Sequence, residues 1–138
     1  MDHTLGIIKP NSVASGHTGK ILSLLEESGF SLEAIRLVQL SRADAENFYA
    51  VHRERPFYQS LVNFMTSGSV VPMVLQGENA VQKFRQVIGD TDPNQAEEGT
   101  VRQLYGESKE RNTIHGSDSD ENARIEIEFF FPGFFGST

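Results

Sequence analysis

The sequence predicts an α+β fold, a ferredoxin-like α/β sandwich in which helices pack on an antiparallel four-stranded sheet. Short β-rich apolar runs alternate with segments whose apolar residues recur at helical spacing, in the order β-α-β-(α-α)-β-α-loop-β-α. No internal repeat and no linker interrupts that order. The 138 residues suit one domain, which we expect to span residues 1–138.

The first half of the chain predicts two strands and three helices. "TLGIIKP" is a β-rich run that stops at Pro10, which cannot donate a ladder hydrogen bond. Residues 18–28 have helical spacing, and Gly29 is a natural C-terminal cap. "FSLEAIRLVQL" is rich in Ile, Leu and Val and predicts the second strand. Ser41 opens a helix that runs towards His52, and "FYQSLVNFMTSG" predicts another.

The second half predicts a strand, a helix, a long loop and a final strand and helix. "VVPMVLQG" is a compact buried strand, which tolerates Pro72 only near an edge or a bulge. "ENAVQKFRQVIG" carries its apolar residues on one helical face and stops at a glycine. Residues 90–112 have weak periodicity and predict a loop with a short helical turn near Val101–Leu104. Loops of this length in compact domains are usually functional.

The stretch "RNTIHGSDSDENARIEI" places His115 at a strand-to-helix corner. The two residues before it are β-branched, and Gly116 permits a sharp change of direction. Asp118, with a serine on either side and Glu121 three residues later, predicts a capping box for the next helix. Side chains at such corners often face a cleft.

A nucleophilic role for His115 needs a partner that fixes its tautomer. Neutral imidazole is a good nucleophile at neutral pH. Glu126 lies about two turns into the following helix and can fold back behind the ring. Taken alone, however, packing or capping is the better explanation of a single histidine, because most single histidines are not catalytic.

Two other motifs have simpler explanations. "GHTGK" resembles a phosphate-binding loop, but Ala14 stands at the first glycine position and Ile21 at the hydroxyl position, so it predicts a turn into a helix. "HGSDSDE" contains potential metal ligands, yet acids at a helix start are explained by the helix dipole. No second histidine follows one turn later, so we expect no protein-held metal there.

Composition limits the partners. The net charge is −7, with 12 basic and 19 acidic residues, which opposes nucleic acid and anionic lipid. A phosphate-bearing ligand therefore needs a local basic pocket. No apolar run approaches the roughly 20 residues that cross a bilayer, and the start lacks a signal-peptide pattern. With no cysteine there is no disulfide framework, and we expect a cytoplasmic protein without nucleic-acid or membrane partners.

Cationic and polar residues that are distant from His115 in the sequence form, together with it, a pattern typical of one protein family. Lys9 closes "IKP", Arg55 begins "RPF", Arg102 lies in "GTVRQLYG", and Asn112 precedes the histidine. Together with "FYAVHRERPFYQSLVNFMTSGSVVPMVLQGENAV", "GDTDP" and "RNTIHGSDS", these stretches resemble the nucleoside diphosphate kinase family over nearly the whole chain. The "NxxHGSD" element is highly specific to that family.

The resemblance implies a mechanism and a set of roles. A nucleoside triphosphate would phosphorylate His115, and a nucleoside diphosphate would then take the phosphoryl group in a ping-pong cycle. Glu126 and Ser117 would lie behind the histidine, with Glu126 on the ring nitrogen that does not attack. The remaining roles are Lys9 and Tyr49 near the transferred phosphate, Lys9 and Asn112 near the sugar hydroxyls, Phe57 and Leu61 against the base, and Arg55, Arg85, Thr91 and Arg102 on the phosphates.

The same resemblance implies Mg²⁺ as cofactor, held mainly by the nucleotide phosphates, and a homo-oligomer, either tetramer or hexamer, built from dimers. Asp120 and Asn122 depart from the family pattern, and Asp120 adds negative charge near the site. The tail "FFFPGFFGST" is expected to cover either its own domain or a neighbouring subunit.

Two other functions stay open at this point: a nucleotide sensor that has lost turnover, and a nucleic-acid-binding protein. The complete set of family residues favours an active enzyme, and the net charge opposes the nucleic-acid role.

Overall fold

The computed structural model describes residues 2–136, and its strands within that range form one antiparallel sheet. The strands are β1 (His3–Ile8), β2 (Ser31–Ile35), β3 (Val71–Gln76) and β4 (Ile114–Gly116). Their order across the sheet is β2-β3-β1-β4, with every neighbouring pair antiparallel. The predicted α+β fold with a four-stranded antiparallel sheet is therefore confirmed.

Helices cover both faces of this sheet. They are α1 (Pro10–Ala14), α2 (Thr18–Glu27), α3 (Arg42–Phe48), α4 (Tyr58–Met65), α5 (Ala80–Ile88), α6 (Val101–Tyr105) and α7 (Asp120–Phe130), with 3₁₀ turns at Ala50–His52 and Pro93–Gln95. The "GHTGK" stretch is a turn into α2, as expected, and α6 is the short helix predicted in the long loop. Helix α1 was not predicted, because the sequence analysis treated Pro10 only as a strand stop. Proline also fits the first turn of a helix, where its missing N–H costs nothing.

Alternation along the strands divides the core into two layers. Successive residues of a strand point to opposite faces of the sheet. Leu5, Ile7 and Val74 contribute to the layer beneath α3, α4 and α7. The other layer lies beneath α2, α5 and α6, and its strand residues include Ile8 and Met73.

Strand β2 is shorter than predicted, and the reason lies in its pairing with β3. The register shifts between Leu32 and Ala34, and regular pairing ends at Ile35. Pro72 was expected only near an edge or bulge, yet β3 is an inner strand. The Pro72 carbonyl accepts a hydrogen bond from Arg36 N at 3.1 Å. The edge of β3 on which Pro72 lacks an N–H therefore faces the end of β2, where regular pairing stops.

Phe84 explains two glycines in neighbouring strands. Gly6 pairs with Gly116, and a Cβ atom on either would lie 2.8 Å from the Phe84 ring. Gly116 ends β4 and has no positive φ, so a left-handed backbone conformation is not what requires glycine at this position. The bare backbone instead lets α5, and with it Arg85, pack closely beneath the strand that carries His115.

The start of α7 also differs from the prediction. Ser119 is the N-cap residue, and its hydroxyl accepts a hydrogen bond from Asn122 N at 3.1 Å. The predicted capping box of Asp118 and Glu121 is therefore wrong by one residue. Asp118 instead accepts a hydrogen bond from the Asn122 side chain at 2.6 Å.

The phenylalanine-rich tail packs on its own domain as far as residue 136. Phe134 and Phe135 lie against the core, and their rings are 5.4 and 5.8 Å from the His3 ring. The Arg124 guanidinium stacks over Phe135 at 4.4 Å. The last two tail positions, 137 and 138, lie outside the described residues. Over the described range, no helix has the length and apolar character that a membrane crossing requires.

Candidate active site

Glu126 on α7 and Ser117 lie behind His115, as the sequence analysis predicted. Glu126 Oε1 is 2.8 Å from His115 Nε2 and accepts a hydrogen bond from the Ser117 hydroxyl at 2.7 Å. An ionised carboxylate can only accept hydrogen bonds, so Nε2 carries the ring proton. The lone pair is therefore on Nδ1, which is the atom able to attack an electrophile.

The His115 ring is fixed from several sides. His115 pairs with Ile7 in the sheet. Its side chain is 20% exposed, which is enough for a ligand to reach it. The ring of Phe48 approaches edge-on at 5.4 Å between centroids. Phe48 was missed by the sequence analysis, because it belongs to a distant helix and nothing in its local pattern indicates the contact.

Tyr49 is buried next to this histidine, with ring centroids 6.4 Å apart. Its hydroxyl is buried and has no hydrogen-bond partner among residues 2–136. Burial, and then the nearby Glu126 carboxylate, raise the pKa of Tyr49 well above its ordinary value. The phenol thus stays neutral and offers an unused O–H donor close to the nucleophile.

Lys9 is buried where β1 ends and bonds to the segment that precedes His115. Its Nζ donates to Asn112 Oδ1 at 2.8 Å and approaches the Glu110 carbonyl at 3.5 Å. Burial, followed by the positive charge of Arg102, lowers the pKa of Lys9 to about 7, while the Glu110 carboxylate opposes the shift. The Asn112 amide also donates to the Thr91 carbonyl at 3.0 Å, so the structure brings Lys9, Asn112 and Thr91 together.

Arg102 connects the long loop to the nucleophile strand. Its Nη2 donates to the Ile114 carbonyl at 2.8 Å, and its Nη1 donates to the Gly89 carbonyl at 3.0 Å. Its Nε is buried without a partner in the described part of the chain. Burial and then the Arg85 charge lower the pKa of Arg102 to about 10, with Asp90 acting in the opposite direction.

A cleft of about 440 Å³ opens beside these cations. Its lining includes three of the predicted phosphate-binding residues, Arg85, Thr91 and Arg102. The positive charge of Arg102 lowers the pKa of Lys9, and that of Arg85 lowers the pKa of Arg102. Asp90 and Glu97 also line the cleft, so its lining carries two arginines and two acids. Arginine forks match phosphate oxygens, which makes Arg85 and Arg102 candidates for holding a phosphate.

The residues predicted to contact the base have different surroundings. Phe57 is 45% exposed, with its ring 5.4 Å from that of His52. Leu61 is buried in the core layer with α3 and α7. The Arg55 side chain is exposed and forms no hydrogen bond or ion pair within residues 2–136. Within residues 2–136, neither the Phe57 ring nor the Arg55 guanidinium forms a ring contact, hydrogen bond or ion pair with His115.

Asp120 and Asn122, the two residues that depart from the family pattern, lie in the first turn of α7. The hydrogen bond from Asn122 holds the pKa of Asp118 below its ordinary value, and the nearby Arg85 adds to the effect. Asp120 is exposed as the first residue of α7. In the described part of the chain, no three side chains of His, Asp or Glu converge as a metal site.

Comparisons with known proteins agree with this geometry. The profile of the family "Nucleoside diphosphate kinase" matches residues 2–134. A nucleoside diphosphate kinase of Anaeromyxobacter sp. (strain K) is 56% identical over 132 residues, covering 96% of this chain and 90% of the relative. One of Chlamydia muridarum (strain MoPn / Nigg) is 56% identical over 131 residues, covering 95% and 93%. The crystal structure of the Aquifex aeolicus nucleoside diphosphate kinase has a TM-score of 0.94 at 44% identity and covers 96% of both chains.

Proposed function

Because this chain belongs to the nucleoside diphosphate kinase family, we propose that it transfers the terminal phosphoryl group of a nucleoside triphosphate to a nucleoside diphosphate through His115. One observation carries the assignment of the nucleophile. The Nε2–H of His115 is bonded to Glu126, which leaves the Nδ1 lone pair available, one residue from the Ile114 carbonyl that Arg102 binds. We propose that the enzyme acts as one domain over residues 1–138, in the cytoplasm.

The proposed cycle has two half-reactions. In the first, the Nδ1 lone pair attacks the terminal phosphorus, the bond from phosphorus to the bridging oxygen breaks, and the nucleoside diphosphate leaves with that electron pair. The ring gains positive character, which the Glu126 carboxylate offsets through Nε2–H. In the second, an oxygen of another diphosphate attacks the phosphohistidine and restores neutral His115.

The surrounding cations act mainly on charge and position. Phosphoryl transfer requires little covalent help from a protein beyond alignment and stabilisation of charge on the non-bridging oxygens. Arg85 and Arg102 would hold phosphate oxygens, and Lys9 with the Tyr49 hydroxyl would donate to the group in transfer. Asn112 would orient Lys9 and contact the sugar.

Magnesium fits this site as an ion carried by the nucleotide. Asp90 and Glu97 line the cleft beside Arg85 and Arg102, and in the described part of the chain no three acids or histidines converge, so the phosphates themselves are the better ligands for a hard cation. When bound, Mg²⁺ supplies further positive charge to the phosphate oxygens. We propose it as the cofactor on that basis.

We also propose a homo-oligomer built from dimers, either a tetramer or a hexamer. Strand β2 is an edge of the sheet, and Ile35 at its end and Leu37 just beyond are 42% and 68% exposed. An unprotected edge with exposed apolar residues is a natural surface for a second copy.

Initial-rate kinetics with two substrates test the proposed cycle. With ATP as donor and GDP as acceptor, a phosphoenzyme route predicts parallel lines in double-reciprocal plots. It also predicts exchange of label between ATP and ADP when no other acceptor is present. Intersecting lines without that exchange would indicate direct transfer and contradict the proposal.

Replacing the arginines tests the phosphate clamp. We expect Arg85→Ala and Arg102→Ala each to lower kcat/KM on the order of 10²-fold or more, because charge stabilisation in the transition state is lost. Lysine at either position should restore activity only in part, since it lacks the planar fork.

Two controls accompany this experiment. Lys20 is exposed on α2, and Lys20→Ala removes one positive charge away from the cleft. Arg102 also bonds two carbonyl groups, so the Tm of its variants must be measured beside activity. Full activity in both alanine variants would show that these arginines do not form the clamp.

The lowered pKa of Lys9 predicts that the protein takes up a proton when it binds a nucleotide. In the free protein its pKa is about 7, so near pH 8.5 the amine is mostly neutral. Phosphate oxygens favour the ammonium form and raise the pKa on binding. ADP binding near pH 8.5 should therefore take up close to one proton, and near pH 6 the uptake by Lys9 should disappear because the amine is already charged.

Titration calorimetry in buffers of different ionisation enthalpy measures this uptake. Unphosphorylated protein and ADP alone avoid any transfer reaction. Lys9→Arg keeps a permanent positive charge and should abolish the uptake. An uptake near pH 8.5 that is equal in wild type and Lys9→Arg would show that another group is responsible.

A further inference from the structure

We propose that Ser12 and Thr113 are a positioning pair, whose hydrogen bond holds the strained turn that leads into the nucleophile strand. Neither side chain is among the residues predicted from the sequence to act in catalysis or binding. The inference rests on the proposed function in one respect: the turn matters for activity because Asn112 and His115 flank it.

The turn is conformationally unusual. Thr113 has a φ of +81°, although it is β-branched, and such residues rarely occupy the left-handed region. Ile114 N donates to the Asn112 carbonyl at 2.9 Å, which closes a three-residue turn centred on Thr113. This is the rare γ-turn with positive φ. Strained residues of this kind persist only where their surroundings fix them.

Two hydrogen bonds fix Thr113 to the segment that carries Lys9. Lys9 N donates to the Thr113 carbonyl at 2.7 Å, a bond that any side chain would allow. The Ser12 hydroxyl donates to Thr113 Oγ1 at 3.0 Å, and both residues are at most 1% exposed. Only the second bond depends on the identity of the two side chains, and in this buried position water does not replace it.

The atoms on either side of the turn belong to the candidate site. Asn112 Oδ1 accepts the Lys9 ammonium, and the Ile114 carbonyl accepts Arg102. If Thr113 relaxed to a negative φ, the peptide groups on both sides would rotate. Lys9 and Arg102 would then lose their positions relative to His115, although neither hydroxyl of the pair touches substrate.

Hydroxyl deletion tests the pair. Thr113→Val keeps the β-branched shape but removes the hydroxyl, Ser12→Ala removes the other partner, and Thr113→Ser keeps the bond. We expect the first two to slow single-turnover phosphorylation by ATP by about 10-fold, with a smaller change in ADP affinity, because misplacement affects the reacting geometry first. Thr113→Ser should restore the wild-type rate.

The phosphorylation rate of the double variant distinguishes a positioning role of the pair from general destabilisation. The double variant of Ser12→Ala with Thr113→Val should be no slower than either single variant, since all three lose the same bond. Ser28→Ala removes a partly buried hydroxyl bond, to the Leu24 carbonyl at 2.8 Å, at the C-terminal end of α2 and away from the site. It should lower Tm without slowing phosphorylation. Wild-type rates in both single variants, or fully additive losses, would overturn the proposal.

A readout independent of activity completes the test. The φ of residue 113, measured from NMR coupling constants, should stay positive in wild type and Ser28→Ala and become negative in Ser12→Ala. A positive φ retained in Ser12→Ala would overturn the positioning pair. If wild type formed no phosphoenzyme while φ changed as expected, the proposed function would fail and the pair would stand. Should Thr113→Val not fold, Ser12→Ala alone decides the matter.

Discussion

His115→Ala should abolish phosphoryl exchange between a nucleoside triphosphate and a diphosphate while leaving nucleotide affinity nearly unchanged. The substitution removes Nδ1, and with it the protein group that attacks the terminal phosphate in the proposed cycle. The cations that would hold the phosphates are not altered, because Lys9 donates its hydrogen bond to Asn112 and Arg102 donates to backbone carbonyls.

Exchange assays and calorimetry with ADP measure the two parts of this prediction. His3→Ala is the matched control, since His3 packs against the C-terminal phenylalanines and not in the cleft. It should retain exchange. Near wild-type exchange in His115→Ala would end the phosphohistidine account.

Glu126→Gln should lower the rate of His115 phosphorylation roughly 10- to 10³-fold, by analogy with the loss of an orienting acid in other nucleophile systems. Glu126 Oε1 accepts hydrogen bonds from both Nε2–H and the Ser117 hydroxyl. A glutamine can present its NH₂ group to Nε2, which would move the ring proton to Nδ1 and block the attacking atom. It also removes the negative charge that offsets the developing imidazolium.

Glu128→Gln is the control on the same helix. Its carboxylate accepts a hydrogen bond from Gly133 N at 3.0 Å in the tail, away from the histidine. Glutamine keeps an acceptor oxygen there, so phosphorylation should remain normal. ADP affinity should be nearly unchanged in both variants. Equal and near-normal phosphorylation rates in the two would leave His115 without its orienting partner.

Local patterns predicted those parts of the molecule that depend on local chemistry. Strand alternation and helical spacing were sufficient for the α+β sheet, and Ser41 caps α3 as its spacing with Asp44 indicated. The spacing of Glu126 allowed it to lie behind His115, but only the family resemblance selected that arrangement over packing or capping.

Features that depend on tertiary packing could not be predicted. Gly116 is a glycine because the Phe84 ring lies against it, a contact between distant segments. Phe48 approaches the histidine from another helix, a contact that no local pattern indicates. The positive φ of Thr113 could not be predicted from the sequence either, because a β-branched residue indicates an extended strand.

Incubation of the purified protein with ATP alone shows whether His115 carries the phosphoryl group between the two nucleotides. We expect one phosphate per chain that is acid-labile and alkali-stable, lost in His115→Ala, and located on Nδ1 of His115 by NMR of the phosphorylated protein. The same phosphoprotein should release its phosphate to added GDP. No phosphate on the protein, or an acid-stable phosphate on a serine such as Ser117, would contradict the account.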